Sequence, residues 1–380
     1  MPYLSIIIPT RNRSAELART LSLLRSQRLP RHEIIVADNG SDDDTAAMVA
    51  RRFPRVRLLR LGRNAGCAAR NWAAGEARAR FLLMLDDDSA PEPGAPAAAV
   101  GLLEAERRLA AVGFRVLLPD GRHEPGGTQH VFVGCAAAIR REAFLAAGGY
   151  PEDFVYYAEE YALCYRFFAM GLAVQVCSDL VARHRKVDFP ARRAEVYSRL
   201  AVNNLRLVAR FLPRPEAARR SGELARWYLN LARADGVSGP VAVAVRRARA
   251  ELRRQPVKRE TLHGRALEAA TFRRGLAARF RELRSSGLRE IGFWRYTKDA
   301  RTFLEAAREE RLVVRELGTD MLASSSFAGL GVVHPGAVNR NLLWIIPTFS
   351  PGLGANGSAE LKARGLAGKA FFPYMSSRSM

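Results

Sequence analysis

Three adjacent carboxylates, Asp86-Asp87-Asp88, follow directly on the apolar run Phe81–Leu85. Side by side they repel one another unless a cation or a cationic side chain sits among them. Hard divalent ions such as Mg2+ or Mn2+ take oxygen ligands and bridge to phosphate groups. A solvated acidic turn capping the next segment is the plainer use of the same residues. Asp38 ends a second apolar run and is followed by Asn39-Gly40-Ser41-Asp42. There Asn-Gly makes a turn and Ser41 or Asp42 caps a helix. The turn accounts for Gly40 and Ser41, but not for a carboxylate at the strand end, which could accept an N–H from a ligand base. Glu159-Glu160 opens a helical stretch. Acidic residues suit a helix N-terminus, and a carboxylate there could also deprotonate an attacking hydroxyl. His184 stands in Ala-Arg-His-Arg-Lys, either as a loop residue among cations or, with Asp88 as a partner, as a metal ligand.

These residues need a scaffold, and the apolar pattern supplies one. Short apolar runs at 4–9, 34–37, 56–61 and 81–85 have the length of buried strands. Between them, helices fit a segment opened by Ser14, with Leu17, Leu21 and Leu24 on one face, then 43–53 and 65–79. Alternation of this kind predicts a parallel sheet covered by helices, with ligands beyond the carboxyl ends of its strands. Further strands are expected at 111–118, 131–138 and 173–177, and a helix at 159–170. From Arg192 onward the sequence reads as Arg-rich helix at 194–212, 217–234, 241–254, 262–284 and 299–311, broken by Pro213, Pro240 and Pro256. The Ser/Gly-rich stretches at 323–331 and 350–358 carry no clear element.

The chain has 380 residues, of which 48% are hydrophobic and 26% charged, which excludes fibrous and wholly disordered classes. Its net charge of +22 is uneven: residues 1–190 carry +3 and residues 191–380 carry +19. The near-neutral half is expected to hold the chemistry, and the basic half to face something anionic. The four cysteines lie far apart with no C-x-x-C pair, which argues against a disulfide framework or a zinc site of that spacing and suits a reducing compartment. No apolar run reaches the roughly 18–20 residues of a membrane span, and the N-terminus reads as a strand rather than a leader.

Taken in order, these motifs resemble the inverting glycosyltransferases of family 2, which have the GT-A fold. Ser5-Ile-Ile-Ile-Pro-Thr-Arg-Asn-Arg13 is similar to the family's first strand and nucleotide loop, and Ile35-Val-Ala-Asp-Asn-Gly-Ser-Asp42 to its second. Arg63-Asn-Ala-Gly-Cys-Ala-Ala-Arg-Asn71 resembles the segment that approaches the diphosphate, and Leu83-Met-Leu-Asp-Asp-Asp88 the DxD-type metal motif. Val133 to Phe144, then Gly148-Gly-Tyr150, resembles the strand and loop under the acceptor site. Ala158-Glu-Glu-Tyr-Ala-Leu-Cys-Tyr-Arg166 resembles the helix of the catalytic base, and His184 falls where a metal-proximal His is common. Two departures stand out: the pair is Glu159-Glu160 where Glu-Asp is frequent, and Ala162 replaces an acidic residue.

The resemblance implies an α/β GT-A domain over 1–190, a basic and mainly α-helical region over 191–320, and a poorly structured tail over 321–380. It implies a nucleoside-diphosphate sugar as donor, held by Pro9, Thr10, Arg11, Arg13, Asp38, Asn64, Arg70, Asn71, Asp86 and Asp87. Cys67 and Cys135 fall in the donor pocket. Asp88, Asp86 and His184 would hold Mg2+ or Mn2+ on the diphosphate. Glu160 would be the base and Glu159 its orienting partner. The acceptor would be a glycan or lipid-linked glycan of the cell envelope, and the chain is expected in the cytoplasm, peripheral on the inner face of the plasma membrane.

The Tyr197, Asn203, Asn204 and Asp235-Gly236 pattern resembles the helical tails of family 2 enzymes that build bacterial surface polysaccharides. Arg-rich helices near Phe211, Trp227, Tyr228, Trp294 and Tyr296 suit an anionic bilayer surface. Asn341 to Gly354 resembles the first strand and glycine loop of a GT-B transferase, as though a second domain began there. Three rivals were weighed. A nucleic-acid binder would explain the charge, but no helix-turn-helix, zinc-finger or RRM pattern appears, so no nucleic-acid partner is expected. A catalytically weak scaffold would explain the departures at Glu160 and Ala162. A sugar-nucleotide pyrophosphorylase would need a Gly-rich basic loop where Pro-Thr-Arg-Asn-Arg stands.

Overall fold

A computed structural model describes residues 3–186, 190–255, 257–319, 326–328, 330–366 and 370–371. The chain forms two compact units, Met1–Asp188 and Phe189–Met380. In chain order the first unit contains β1 (Leu4–Thr10), α1 (Ser14–Ser26), β2 (His32–Asp38), α2 (Thr45–Arg52), β3 (Arg57–Arg60), α3 (Ala69–Glu76) and β4 (Phe81–Leu85). It continues through β5 (Ser89–Pro91), α4 (Ala95–Ala105), β6 (Leu109–Leu117), β7 (Ala136–Arg140), α5 (Arg141–Ala146), α6 (Glu159–Ala169) and β8 (Ala173–His184). These strands make one eight-stranded sheet in the order β3-β2-β1-β4-β7-β6-β8-β5.

The alternation of short apolar runs with amphipathic helices dictates the first half of this sheet. Ile6, Ile8, Val36, Leu83 and Leu85 join Leu17, Leu21 and Leu24 of α1 in one fully buried cluster, the largest driving force for the unit. β1 runs parallel to β2 with Thr10 beside Asp38, and parallel to β4 with Ile7 beside Met84. The carboxyl ends of all three strands therefore open on the same edge. β7 is antiparallel to β4, with Leu85 beside Ala136, so the start of β7 reaches that edge too. β5 brings His184 there by pairing Ser89 with it.

Local differences from the expected elements have physical causes. The strand expected at 131–138 begins only at Ala136, because Thr128 and Val131 close a tight bridge first. β8 continues past Cys177 to His184 through the polar pair Ser178-Asp179, where the register with β6 shifts between Phe114 and Arg115.

The second unit contains α7 (Arg193–Phe211), α8 (Arg214–Ala234), α9 (Ser238–Arg254), α10 (Gly264–Thr271), α11 (Arg273–Ser285), β9 (Glu290–Trp294), α12 (Ala300–Glu309) and β10 (Val313–Gly318). After these come β11 (Ser326–Phe327), β12 (Leu330–Val333), β13 (Leu343–Ile345), α13 (Pro351–Ala363) and β14 (Ala370–Phe371). It is mainly helical, as expected. The helix expected at 262–284 is divided at Phe272, whose φ of +55° ends α10.

The unit also holds a six-stranded sheet, order β11-β12-β10-β9-β13-β14, that the sequence reading did not anticipate. Its strands are short and flanked by Arg and Glu, so their apolar pattern is too brief to register. The stretch at 350–358, set aside as Ser/Gly-rich, is helical in α13. Ser350 accepts the Leu353 N–H as N-cap and Pro351 follows it. A Cβ at Gly357 would lie 3.0 Å from Ile346, so glycine lets the helix press onto the chain after β13. Of the stretch at 323–331, also set aside, the described residues form β11 and open β12. Among the described residues, no helix is long and apolar enough to cross a membrane.

Candidate active site

The edge where β1, β2 and β4 end collects the carboxylates read from the sequence, and each has a counter-group. Thr10, the last residue of β1, donates its hydroxyl to Asp87 Oδ2 (2.8 Å). Arg13, one turn on, donates from Nε to Asp87 Oδ1 (2.8 Å) and from a terminal nitrogen to Asp88 Oδ2 (2.7 Å). Arg70, almost fully buried in the first turn of α3, donates to Leu85 O (3.2 Å) and to Asp86 Oδ1. Protein cations thus supply what three neighbouring carboxylates require. Burial raises Asp87 to about 6 despite Arg13. Asp88 is half-buried, yet His184 and Arg13 hold its carboxyl below the usual range.

His184 sits among these groups. Its Nε2 lies 3.1 Å from Asp88 and 3.9 Å from Asp86 Oδ2, and its Nδ1 is 3.2 Å from Glu124, which also takes Lys186 Nζ at 2.7 Å. Burial works against a charge on the ring, but the Cys135 sulfur, Asp88 and Glu124 outweigh it and raise its pKa. Glu124 comes from the loop after β6 and is buried, a position that its sequence context does not announce. Carboxylate oxygens on one side of an imidazole whose other nitrogen is held by a second-layer carboxylate form a donor set that fits a divalent cation. Asp86, Cys135 and His184 each offer a ligand atom within 4.8 Å of the others.

Asp38 is buried at the end of β2. Its Oδ1 accepts the Ser41 N–H (2.9 Å), so the turn does engage this carboxylate, while Oδ2 faces Arg60 at 3.9 Å. Neither Ser41 nor Asp42 caps α2, which starts at Thr45 with Asp43 accepting the Thr45 N–H. Arg11 is exposed and donates weakly to Gly40 O (3.4 Å). Asn64 accepts the Gly66 N–H (2.9 Å) and the Tyr156 hydroxyl (3.3 Å). Asn71 exchanges two hydrogen bonds with the backbone of Tyr150, both 2.9 Å. Its amide is therefore engaged in tying α3 to the loop at 148–150.

The catalytic-helix candidate is held by a strained approach. Val155, Tyr157 and Ala158 all have positive φ (58°, 75° and 64°) immediately before α6, an arrangement that survives only where the surroundings enforce it. Val155 O accepts the Cys67 N–H (2.7 Å), and a Cβ at Gly66 would come within 2.2 Å of that same oxygen. Gly66 is thus required for the loop before α6 to lie on the 63–71 segment. Glu159 is then buried in the first turn and Glu160 partly so. Burial raises Glu159 to about 7, and burial plus Glu159 raises Glu160 to about 8. Three buried polar atoms in this neighbourhood have no hydrogen-bond partner: Arg70 Nε, Tyr150 Oη and Glu159 Oε2. Each such atom costs about 1–3 kcal/mol while unpaired. Tyr150 is thereby a candidate residue that the sequence reading passed over as part of a loop.

Residues 5–130 match the model of a family described as glycosyl transferase family 2. A chondroitin synthase of Escherichia coli is 33% identical over 126 residues, which cover 32% of this chain and 18% of that protein. The O-antigen biosynthesis protein RfbC of Myxococcus xanthus is 28% identical over 216 residues, 47% of this chain and 17% of that one. The chain therefore spans under a fifth of the length of these two relatives. Among solved structures, the mannosyltransferase PcManGT of Pyrobaculum calidifontis, in complex with GDP-Man and Mn2+, superposes with a TM-score of 0.46 at 20% identity, covering 82% of this chain and 87% of that one. The family 2 resemblance drawn from the motifs is borne out: a glycosyl transferase family 2 domain occupies residues 5–130. The expected fold class, an α/β GT-A sheet followed by a mainly helical region, is borne out with it.

Proposed function

We propose that this family 2 domain transfers a sugar from a nucleoside-diphosphate sugar to an acceptor hydroxyl, with inversion, in the assembly of a cell-surface polysaccharide or lipid-linked glycan. The observation that carries the reading is that the loop before α6 lies on the matched domain through the Cys67 N–H to Val155 O bond, and sets two carboxyls of raised pKa beside Arg70 and other unpartnered buried polar atoms. Polar groups left unpaired in a folded chain are groups a ligand can satisfy. The names of the relatives, a chondroitin synthase and an O-antigen biosynthesis protein, support a polysaccharide acceptor.

In this reading the donor base lies against Asp38, framed by Pro9, Thr10, Arg11 and Arg13. Asn64, Arg70 and Asp87 face the sugar-phosphate side, and Asn71 supports them by fixing the loop of Tyr150. Asp86, Asp88 and His184 would hold Mg2+ or Mn2+, which offsets the charge developing on the departing diphosphate. Glu160, partly open to solvent, takes the proton of the acceptor hydroxyl; its raised pKa suits a base working near neutrality. The hydroxyl oxygen attacks the anomeric carbon from the face opposite the diphosphate, and the old C–O bond breaks as the new one forms. Diphosphate is already a stable leaving group, so a second carboxylic acid of the glycosidase kind is not required. Glu159, with Arg70 nearby, holds Glu160 in place. The test is nucleotide release from UDP-, GDP- and dTDP-sugars by wild type and Glu160→Gln. A rate about 10²–10⁴-fold lower in the variant, with nucleotide binding retained, supports the base. Equal rates, or none from any donor, favour the scaffold reading instead.

A second feature supports a peripheral position on an anionic membrane at the cytoplasmic face. The exposed side of α9 presents Val243 (56% exposed) with Arg246, Arg247, Arg249, Arg253 and Arg254. Basic side chains beside such a surface contribute about 1 kcal/mol each.

A further inference from the structure

The metal reading above uses oxygen and nitrogen donors, but the structure sets a sulfur beside them. Leu85 pairs with Ala136 across the antiparallel β4 and β7, so the next residues outward, Asp86 and Cys135, meet at the open edge. Ser89 fixes this meeting. Its hydroxyl donates to Cys135 O (2.7 Å) and accepts the Asp86 N–H (2.9 Å). Ser89 is in turn the strand partner of His184. One serine thus ties together the backbones that carry a carboxylate, a thiol and an imidazole, whose ligand atoms all lie within 4.8 Å of one another. Neighbouring ligands of a tetrahedral ion at 2.0–2.3 Å are separated by roughly 3.3–3.8 Å, so a contraction of up to about 1 Å closes the triad on one ion.

The three ligand atoms face one another on the inner side, where His184 Nε2 also lies 3.1 Å from Asp88, a contact that an ion would replace. Asp86 gives Oδ1 to Arg70, and Oδ2 faces His184. His184 has Nδ1 against Glu124, which turns Nε2 inward. Cys135 is buried and makes no disulfide. Asp87 is engaged through both oxygens by Arg13 and Thr10, whereas Asp88 gives Oδ2 to Arg13 and keeps Oδ1 beside His184 Nε2.

We propose that Cys135 is a metal-contacting side chain of this site and biases it toward thiophilic divalent ions such as Zn2+, Co2+ and Cd2+ over Mg2+. The inference rests on the metal reading of Asp86 and His184 and adds the donor that sets ion preference. A thiolate is a soft ligand, which favours these ions far more than it favours magnesium. On coordination the thiol proton leaves to solvent.

The test uses the full chain titrated with Co2+ and followed by near-ultraviolet absorbance, with Cd2+ and Mg2+ affinities by calorimetry on wild type, Cys135→Ser and His184→Ala. The expected result is a thiolate-to-cobalt charge-transfer band in wild type that Cys135→Ser lacks. Cd2+ affinity should fall roughly 10-fold or more in that variant, with Mg2+ affinity unchanged. Circular dichroism confirms that Cys135→Ser is folded, and the wild-type band is a readout that needs no variant. Cobalt bound to wild type without the band, or a band that survives in Cys135→Ser, overturns the inference and leaves the metal reading standing. Wild type that binds none of the three ions, indistinguishable from His184→Ala, overturns both.

Discussion

Both units end parallel strands in polar residues, and they treat that edge in opposite ways. In the second unit, Thr297 follows β9 and donates to Pro347 O, just past β13. Asp299 accepts the Phe349 N–H (3.1 Å) and, at 3.5 Å each, the Thr348 hydroxyl and Arg220. Ser350 caps α13 from its own side chain. The loops after β9 and β13 are closed by one another. In the first unit the same kind of edge leaves Arg70 Nε, Tyr150 Oη and Glu159 Oε2 buried and unpartnered, with a strained loop at 155–158 beside them. Architecture alone therefore does not mark a site; what distinguishes the first edge is that its unpartnered buried polar atoms gather beside two carboxyls of raised pKa. Trp227 Nε1 is also unpartnered in the second unit, on α8 beside the loop of Thr297.

If the contrast is correct, substitutions at the two edges should separate stability from activity. Asp299→Ala should have the largest effect on folding, about 1–3 kcal/mol, because it leaves the buried Phe349 N–H without its acceptor, while Arg220 keeps Glu223 and Thr302. Chemical denaturation would show this, with nucleotide affinity of the remaining folded protein unchanged. An intact midpoint would break the comparison.

The pH dependence comes next. Glu159 and Glu160 have folded pKa values of about 7 and about 8, above their ordinary 4.5. The folded chain keeps protons that the unfolded chain has released, so the pair contributes stability below pH 4.5 that is lost as pH rises through 7–8. The transfer rate should climb over the same window as Glu160 becomes a base, about 10-fold per unit below its pKa. Rate and thermal midpoint should move in opposite directions between pH 6 and 8; parallel curves would contradict the assignment.

Tyr150→Phe is a smaller and more diagnostic change. Its hydroxyl has no partner, so removal should be neutral or stabilise by up to about 1 kcal/mol, while donor turnover falls roughly 10-fold. A destabilised variant of unchanged activity would place Tyr150 with the structural residues. Least in size, Arg247→Glu with Arg254→Glu should weaken sedimentation with phosphatidylserine vesicles by about 1 kcal/mol per charge, without altering nucleotide release.

The sequence made the open edge legible where chemistry and strand end coincide. Five apolar residues stopping at Asp86 can only be a buried strand reaching a polar boundary, and β4 has those limits. Asp38 and Glu159 were readable for the same reason, each at the junction of an apolar element and a turn. Glu124 and Tyr150 were not, and Cys135 was read into the donor pocket without its place beside Asp86 and His184, because each is brought in by pairing with a distant segment and its own neighbours are ordinary. The second sheet was hidden by its short strands, and α13 by its glycines, of which Gly357 shows a packing role only once Ile346 lies against it.

The most direct test of the open edge is a thermal-shift titration of the full chain with UDP, GDP and dTDP, with and without Mn2+, beside Asp88→Ala. The account predicts metal-dependent stabilisation by one of the nucleotides that the variant loses. A well-folded wild type stabilised by none of them would contradict the nucleotide-sugar site and leave the first edge as unexplained strain.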